Sequence, residues 1–294
     1  MADAIPRARR LLETGFAEIV LTGADLGSYG RDLGLKHGLP RLVEGILALG
    51  VSHRVRLSSI EPHKVDPELM AMIGSTPRLC RHLHLPLQSG SNGILKAMRR
   101  GYTREEYASL LRRVTKRSPV GIGADVIVGF PGEGIAEFEE TRRFLEDIPV
   151  TFLHVFRYSS RPGTASARLE GAAPDTAARE RSETLRTLGE SKARAFRRSL
   201  LGGTLAVVME QGRGRIGPIA MSDMYLPVEL TEEPLSRRGI LDVSIVGEEG
   251  GRLLGSPNEP LSGYVGALHA GSTASRSASH ETVSDRDAID GLTL

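Results

Sequence analysis

Residues 82–88, His-Leu-His-Leu-Pro-Leu-Gln, alternate strictly between polar and apolar positions. The leucines fall on one face and His82, His84, Pro86 and Gln88 on the other, the period of a strand. One greasy face and one hydrogen-bonding face fit a barrel wall, with leucines packed on outer helices and imidazoles turned inward. The run stops at Gln88-Ser89-Gly90-Ser91, a small-residue turn where backbone can come close to a ligand. Chemistry is therefore expected at the carboxyl end of this strand.

Carried along the chain, the same reading predicts helices over 4–14, 40–49, 66–73, 104–116 and 135–146. Strands are predicted over 18–22, 54–59, 81–87, 121–129 and 152–157. Strands regularly separated by helices imply an α/β fold, a parallel sheet with right-handed crossovers. Inward polar residues favour a TIM-like (βα) barrel over a flat sheet. The order opens on a helix, so a first barrel strand is expected to be missing in front of residue 1. The strand at 18–22 would then show an unpaired edge and the barrel's apolar interior, which invites self-association.

Past Gly171-Ala172-Ala173-Pro174 the pattern predicts an Arg-rich and Ala-rich amphipathic helix over 175–200, marked by Leu185, Leu188, Phe196 and Leu200. Short strands at 205–210, 225–230 and 241–246 follow, separated by Gly, Pro and acidic turns. They predict a small all-β barrel, a common nucleic-acid platform. Residues 256–294 are rich in Ser, Ala, Asp and His with little periodicity, the composition of a disordered tail. The expected organisation is a partial barrel over 1–173, a connecting helix over 174–201, a β domain over 202–255 and the tail over 256–294.

Composition narrows the class. At 294 residues, 40 % hydrophobic and 25 % charged, the chain suits a large domain plus a smaller one. No run approaches the roughly 18 apolar residues of a membrane span, and no signal-peptide pattern opens the chain, so the cytoplasm is the expected compartment. The net charge is +2, yet residues 78–117 hold ten Lys or Arg against two Glu. That segment can attract a phosphate backbone, although a solvated helix face explains it almost as well. The single cysteine, Cys80, sits at the start of a buried strand and is expected to fill the core.

Each predicted strand ends in a loop with candidate chemistry. Thr22-Gly23 opens a turn with glycines at 23, 27 and 30, whose main chain could reach an ammonium or carboxylate. Ser58, Ser59 and Glu61 place two hydroxyls and a carboxylate at the same end, with Ser59 or Glu61 alternatively capping the next helix. The strand at 121–129 leaves through Gly129 and Gly132, where backbone could lie beside a flat ring. Its buried Asp125 needs a partner, for which Arg56 or Arg157 is available. Tyr158 offers a stacking face and Arg161 a phosphate fork. Thr103 and Glu106 spell a capping box, which leaves Arg99, Arg100 and Arg104 as the free basic candidates.

Together these blocks resemble the methylthiotransferases of the radical S-adenosylmethionine superfamily. The matching pieces are Leu21-Thr22-Gly23 through Leu26-Gly27-Ser28-Tyr29-Gly30, Leu57-Ser58-Ser59-Ile60-Glu61-Pro62, His84 through Ser91, Asp125 through Glu133, and Tyr158 to Thr164. The Thr-Gly-x-x-Leu-x-x-Tyr-Gly turn looks like the branch acting on threonylcarbamoyladenosine in tRNA, beside sister branches acting on isopentenyladenosine or on a ribosomal protein. The resemblance implies a partial radical S-adenosylmethionine barrel followed by an RNA-binding TRAM-like module over 202–255. That module carries five Lys or Arg against eight Asp or Glu, so the basic segment around Arg99 is expected to matter more for tRNA.

The resemblance also implies S-adenosylmethionine, tRNA and 4Fe-4S clusters as cofactors and partners. Cofactor contacts would come from Thr22, Gly23, Ser58, Ser59, Glu61, Gln88, Ser89, Gly90, Ser91, Gly129, Gly132 and Tyr158. RNA contacts would come from Arg99, Arg100, Arg104 and Arg161. Family members hold their clusters on cysteines that this sequence does not contain. The expectation is therefore a methylthiotransferase fragment, inert alone, with no metal ligands of its own and with a separate polypeptide as a possible source of thiolates. A non-catalytic tRNA-binding remnant is the alternative.

Overall fold

A computed structural model describes residues 3–258. Helices and parallel strands alternate through α1 (Ala4–Glu13), β1 (Glu18–Leu21), α2 (Gly38–Leu47), β2 (Arg54–Leu57), α3 (Pro67–Met72) and β3 (His82–His84). The series continues with α4 (Asn92–Ala97), α5 (Arg104–Thr115), β4 (Gly121–Val128), α6 (Ile135–Asp147) and β5 (Phe152–Arg157). β1 pairs parallel with β2, and β3, β4 and β5 pair parallel in that order. Bridges at Val55–Leu79 and Ser59–His84 stitch β2 to β3, so the five strands form one curved wall. Among the described residues β1 pairs with no second strand, and Val20 on it is 46 % exposed.

Alternation explains the two faces of that wall. Ile19, Leu21, Val55, Leu57, Leu83, Leu85, Leu87, Ala124, Val126 and Val128 are buried in one core with the helices. Each fully buried leucine contributes about 1.5–3 kcal/mol by leaving water. The Thr103 capping box is formed: Glu106 N–H donates to the Thr103 hydroxyl, and Glu106 Oε2 accepts from Thr103 N–H at 2.8 Å. α4 was not predicted; its six residues open on Asn92-Gly93, which read as a continuation of the Ser89–Ser91 turn, and no side-chain cap bond marks its start.

The opposite, concave face carries Glu18, Arg54, Arg56, His82, His84, Asp125 and His154, with the imidazoles turned inward as the alternation over 82–88 predicts, and it is not the apolar interior expected behind the open edge of β1. At its amino-terminal end Arg54 and Arg56 are 2 % and 3 % exposed. Glu18 answers both: Arg54 Nε donates to Oε2 and Arg56 Nε to Oε1, each at 2.6 Å. Burial opposes ionisation of Glu18. Hydrogen bonding and charge from Arg56, then Arg54, outweigh it and hold the carboxyl below its ordinary range. Asp125 does not pair with Arg56 or Arg157 as expected. Arg56 is consumed by Glu18, and Arg157 reaches outward to Asp175 at 2.6 Å.

α7 (Asp175–Ser199) leaves the wall, packs on β5, and leads into β6 (Thr204–Arg213), β7 (Pro218–Ser222), β8 (Pro227–Leu230), β9 (Ile240–Glu249) and β10 (Arg252–Pro257). These close a barrel in the order β10-β8-β7-β6-β9. Three strands were expected here; β7 and β10 add two, and β10 runs to Pro257, past the expected domain limit. The expected tail from residue 259 on lies outside the described residues.

The small barrel docks under the amino-terminal end of the wall. Arg54 donates to the Ala206 and Met221 carbonyls, both at 2.8 Å, and Arg56 to the Ser222 carbonyl at 2.8 Å. Arg81 pairs with Asp223 at 2.6 Å, and Arg56 lies 5.2 Å from the centre of the Tyr225 ring. Gly121 has no room for a Cβ, which would collide with the Met224 carbonyl. Replacing Glu18 with Gln leaves two buried guanidinium groups short of their counter-ion and should cost about 3–5 kcal/mol. In the wild type the Glu18 contribution is complete above the unfolded carboxyl range and is lost as pH falls through the lowered folded value. Urea titrations across acid pH should show Glu18→Gln less stable at neutrality, with a flatter acid limb.

Candidate functional site

The carboxyl ends of the strands surround a cavity of ≈ 790 Å³, a size that takes a small molecule of cofactor class. Gln88, Asp125, Ile127, Phe130, Phe156 and Tyr158 line it, with Lys96, Arg99, Arg100 and Arg161 on its lip. Its lining is thus aromatic and polar on the wall and cationic at the opening.

Gln88 enters this site through an irregularity in pairing. The N–H groups of Leu87 and Gln88 both donate to the Asp125 carbonyl, at 3.1 and 2.7 Å, and the Gln88 carbonyl accepts from Ile127 N–H at 2.9 Å. Two residues opposing one form a bulge, and Gln88 takes φ 67°, a left-handed conformation. A residue with a Cβ is strained there by about 1–2 kcal/mol. No sequence signal announces it, since glycine is the residue that marks such positions.

Ser89, Gly90 and Ser91 follow Gln88 but turn away from the cavity. Ser89 Oγ lies 3.1 Å from Thr141 Oγ1 on α6, and Gly90 N–H donates to the same hydroxyl at 3.0 Å. A Cβ on Gly90 would lie 2.7 Å from the Thr141 Cα, so glycine permits the close approach to α6.

Thr22 and Gly23 follow β1, and Ser58 N–H donates to the Leu21 carbonyl at 2.9 Å, which sets the first two loops side by side. Ser59 bridges to His84, and Ile60 N–H donates to the His84 carbonyl at 3.0 Å. Glu61 accepts from Arg100 at 3.1 Å. Neither Ser59 nor Glu61 caps a helix; α3 is capped by Asp66, which accepts from Glu68 N–H at 2.8 Å. Thr22, Gly23, Ser58, Ser59 and Glu61 therefore share an end with the cavity without lining it.

Gly129 and Gly132, at φ 80° and 89°, turn the chain sharply around Phe130. Neither lines the cavity. Gly129 N–H donates to buried Glu133 at 2.9 Å, and Glu133 accepts from Arg181 of α7 at 2.6 Å. Burial raises the Glu133 carboxyl above its usual range against the pull of Gly129 and Arg181. Tyr158 packs edge-on to Phe130 at 5.2 Å and anchors its hydroxyl on the Ser166 carbonyl at 3.1 Å.

The basic candidates divide. Arg104 pairs with Glu105 at 2.8 Å and reaches the Gly90 carbonyl at 3.3 Å, and Arg100 holds Glu61. Arg99 and Arg161 are exposed, and among the described residues neither makes an ion pair. Lys96 on α4, missed with its helix, joins them.

Deeper on the wall His84, Asp125 and His154 meet. His84 Nε2 lies 3.0 Å and His154 Nδ1 3.2 Å from the same oxygen, Asp125 Oδ1. Burial opposes ionisation of Asp125, and the two histidines, His84 first, outweigh it and hold the carboxyl below its usual range. His154 was not singled out beforehand. The alternation that marks His82 and His84 was available in 152–157, where Phe152, His154 and Phe156 share a face.

A family model described as the radical SAM superfamily matches residues 2–145, so this part of the chain is a radical SAM domain. Over 211 residues it is 39 % identical to the threonylcarbamoyladenosine tRNA methylthiotransferase MtaB of Aquifex aeolicus, covering 71 % of this chain and 51 % of that protein. Its identity to the MtaB of Bacillus subtilis is 37 % over 216 residues, with 71 % and 47 % covered. It is 34 % identical over 214 residues to the tRNA-2-methylthio-N(6)-dimethylallyladenosine synthase of Streptomyces coelicolor, with 72 % and 42 % covered. The chain spans about half the length of the curated relatives it matches. Among solved structures, coproporphyrinogen III oxidase (HemN) from Escherichia coli shares the fold at a TM-score of 0.52 and 12 % identity, covering 84 % of this chain and 59 % of that one.

Such a domain implies a 4Fe-4S cluster, whose irons need thiolate ligands. Cys80 does not fit. It is 2 % exposed, burial pushes its thiol up to about 12, and it lies 3.8 Å from Glu18 at the far end of the wall from the cavity. The thiolates for such a cluster would have to come from outside these 294 residues. The cavity's own donors and aromatic faces do fit a nucleoside-bearing sulfonium.

Replacing Gln88 with Gly removes the left-handed strain at the cost of about 0.5–1 kcal/mol in chain entropy. Gln88→Gly should match or exceed wild-type stability by up to ~1 kcal/mol, whereas Gln88→Val should fall below it. Thermal unfolding of the three proteins checks the order.

Proposed function

We propose that this chain is the S-adenosylmethionine-binding and tRNA-binding part of a methylthiotransferase that modifies threonylcarbamoyladenosine. The observation that carries the reading is one cavity, aromatic and polar inside and cationic at its mouth, at the strand ends where the family-like blocks converge. Greater similarity to MtaB proteins than to the dimethylallyladenosine synthases, 39 % against 34 %, supports the threonylcarbamoyl branch.

S-adenosylmethionine, when bound and reduced, supplies a radical and, in a second molecule, a methyl group. This chain's residues would position it. Phe130 and Tyr158 offer apolar faces to the adenine, and Gln88 offers an amide to its edge. Thr22, Ser58, Ser59 and the Glu61–Arg100 pair frame the methionine side. Ser89, Gly90, Ser91, Gly129 and Gly132 act indirectly, by fixing the turns that carry Gln88 and Phe130. Arg99 and Arg161, unpaired on the lip, would meet tRNA phosphates, while Arg100 and Arg104 brace the loops beneath them.

The chain would then be catalytically silent until thiolates are supplied, and would work in the cytoplasm with its tRNA. Calorimetric titration of the isolated chain should show S-adenosylmethionine binding that Tyr158→Ala weakens. Filter binding of tRNA should fall with salt, and Arg99→Ala and Arg161→Ala should each reduce the log–log slope by about 0.7. Absence of both ligands' binding defeats the proposal. If tRNA binds and S-adenosylmethionine does not, the non-catalytic RNA-binding reading takes its place.

A further inference from the structure

The trio His84, Asp125 and His154 lies on three adjacent strands, β3, β4 and β5, of the concave wall; Asp125 and His154 are register partners, and His84 pairs with Gly123, one inward-facing position before Asp125. We propose that it binds a divalent first-row transition ion of the zinc type, at a site separate from any iron–sulfur cluster.

The geometry of the donors carries the inference. Two ligands about 2.0–2.1 Å from one ion, at tetrahedral to octahedral angles, stand about 2.9–3.4 Å apart. Asp125 Oδ1 stands 3.0 Å from His84 Nε2 and 3.2 Å from His154 Nδ1, and the three donor atoms all lie within 4.8 Å of one another. Backbone register delivers this arrangement, since Asp125 and His154 are paired Cα partners across β4 and β5. The site is therefore set by two neighbouring strands rather than by mobile side chains.

A second observation concerns His84. Its Nε2 is sealed from solvent and makes no aligned hydrogen bond, despite its closeness to Asp125. A nitrogen held near a carboxylate but not directed at it is disposed to share an ion with it. Two imidazoles and one carboxylate select zinc, cobalt or ferrous iron over magnesium and calcium, which demand oxygen shells.

Asp125 also lines the cavity, so the ion's open coordination position faces the space where a small molecule would sit. A three-ligand site with an open position holds water or an anionic ligand group.

The other His-carboxylate cluster, His37 with Asp66 and Glu68, also brings one atom of each residue within 4.8 Å but offers a single imidazole, and its Asp66 is already spent as the cap of α3. His37 spends Nδ1 on Asp66 at 2.9 Å and turns Nε2 to Glu68 at 3.5 Å, and the two nitrogens of one ring cannot meet on one ion.

The full 294-residue chain, stripped with chelator, is titrated with Co²⁺ while its visible absorption is followed, and Zn²⁺ is then added in competition. The expected result is one Co²⁺ per chain, displaced by Zn²⁺. His154→Ala and Asp125→Asn should each weaken Co²⁺ binding by at least about 100-fold, while His37→Ala leaves it unchanged. His154 is half-exposed, so its removal spares the core, and circular dichroism confirms that each variant is folded. Should Asp125→Asn unfold, His154→Ala decides. Failure of the wild type to take up one equivalent overturns the proposal. So does wild-type affinity in His154→Ala, or loss of binding in His37→Ala.

Discussion

Two buried guanidinium groups organise this molecule. Arg54 and Arg56 point from one strand into the base of the curved wall, and the charge on them must be answered locally because burying an unpaired ion costs several kcal/mol. Glu18 supplies one negative charge between them. Carbonyls of Ala206, Met221, Ser222 and Asp223, from the small barrel, supply the rest of the hydrogen bonding. Neither unit satisfies these arginines by itself. The wall and the barrel are thus bound by an electrostatic debt that each leaves in the other.

That arrangement leaves the opposite end of the wall open. With the base occupied by the Ser222–Tyr225 turn, the cavity lies at the carboxyl ends of the strands, where loops rather than regular elements carry the polar groups. The bulge at Leu87–Gln88, the tight turn around Phe130 and the seat of Gly90 on Thr141 are three solutions to one problem. Each holds a loop rigidly against a helix or strand so that one side chain, Gln88 or Phe130, projects into the cavity.

Much of the wall was legible because alternation over 82–88 and the regular spacing of strand and helix patterns reflect burial on one face, which sequence records directly. The docking of the small barrel was not, since its acceptors are backbone carbonyls that every residue possesses. The expected arginine partner of Asp125 failed for a related reason: charge types suggest pairs, but Glu18 had already claimed Arg56. Ser89, Gly90 and Ser91 read as ligand-facing because small polar residues serve both tight packing and binding. Thr141, the hydroxyl that holds them, sits in a helix and gave no sign of its task. Arg99 and Arg161 were named alongside Arg100 and Arg104, and nothing in their spacing separated the free pair from the braced one.

Cys80 sits where the wall meets its base, enclosed by the same groups that hold the two units together. Its thiol is inert while the base is closed, because neither solvent nor thiolate is available to it. Alkylation can therefore proceed only through openings that part the strands or lift the small barrel away. The rate at which this one sulfur is modified is a built-in clock for that motion, read against a background with no competing thiol.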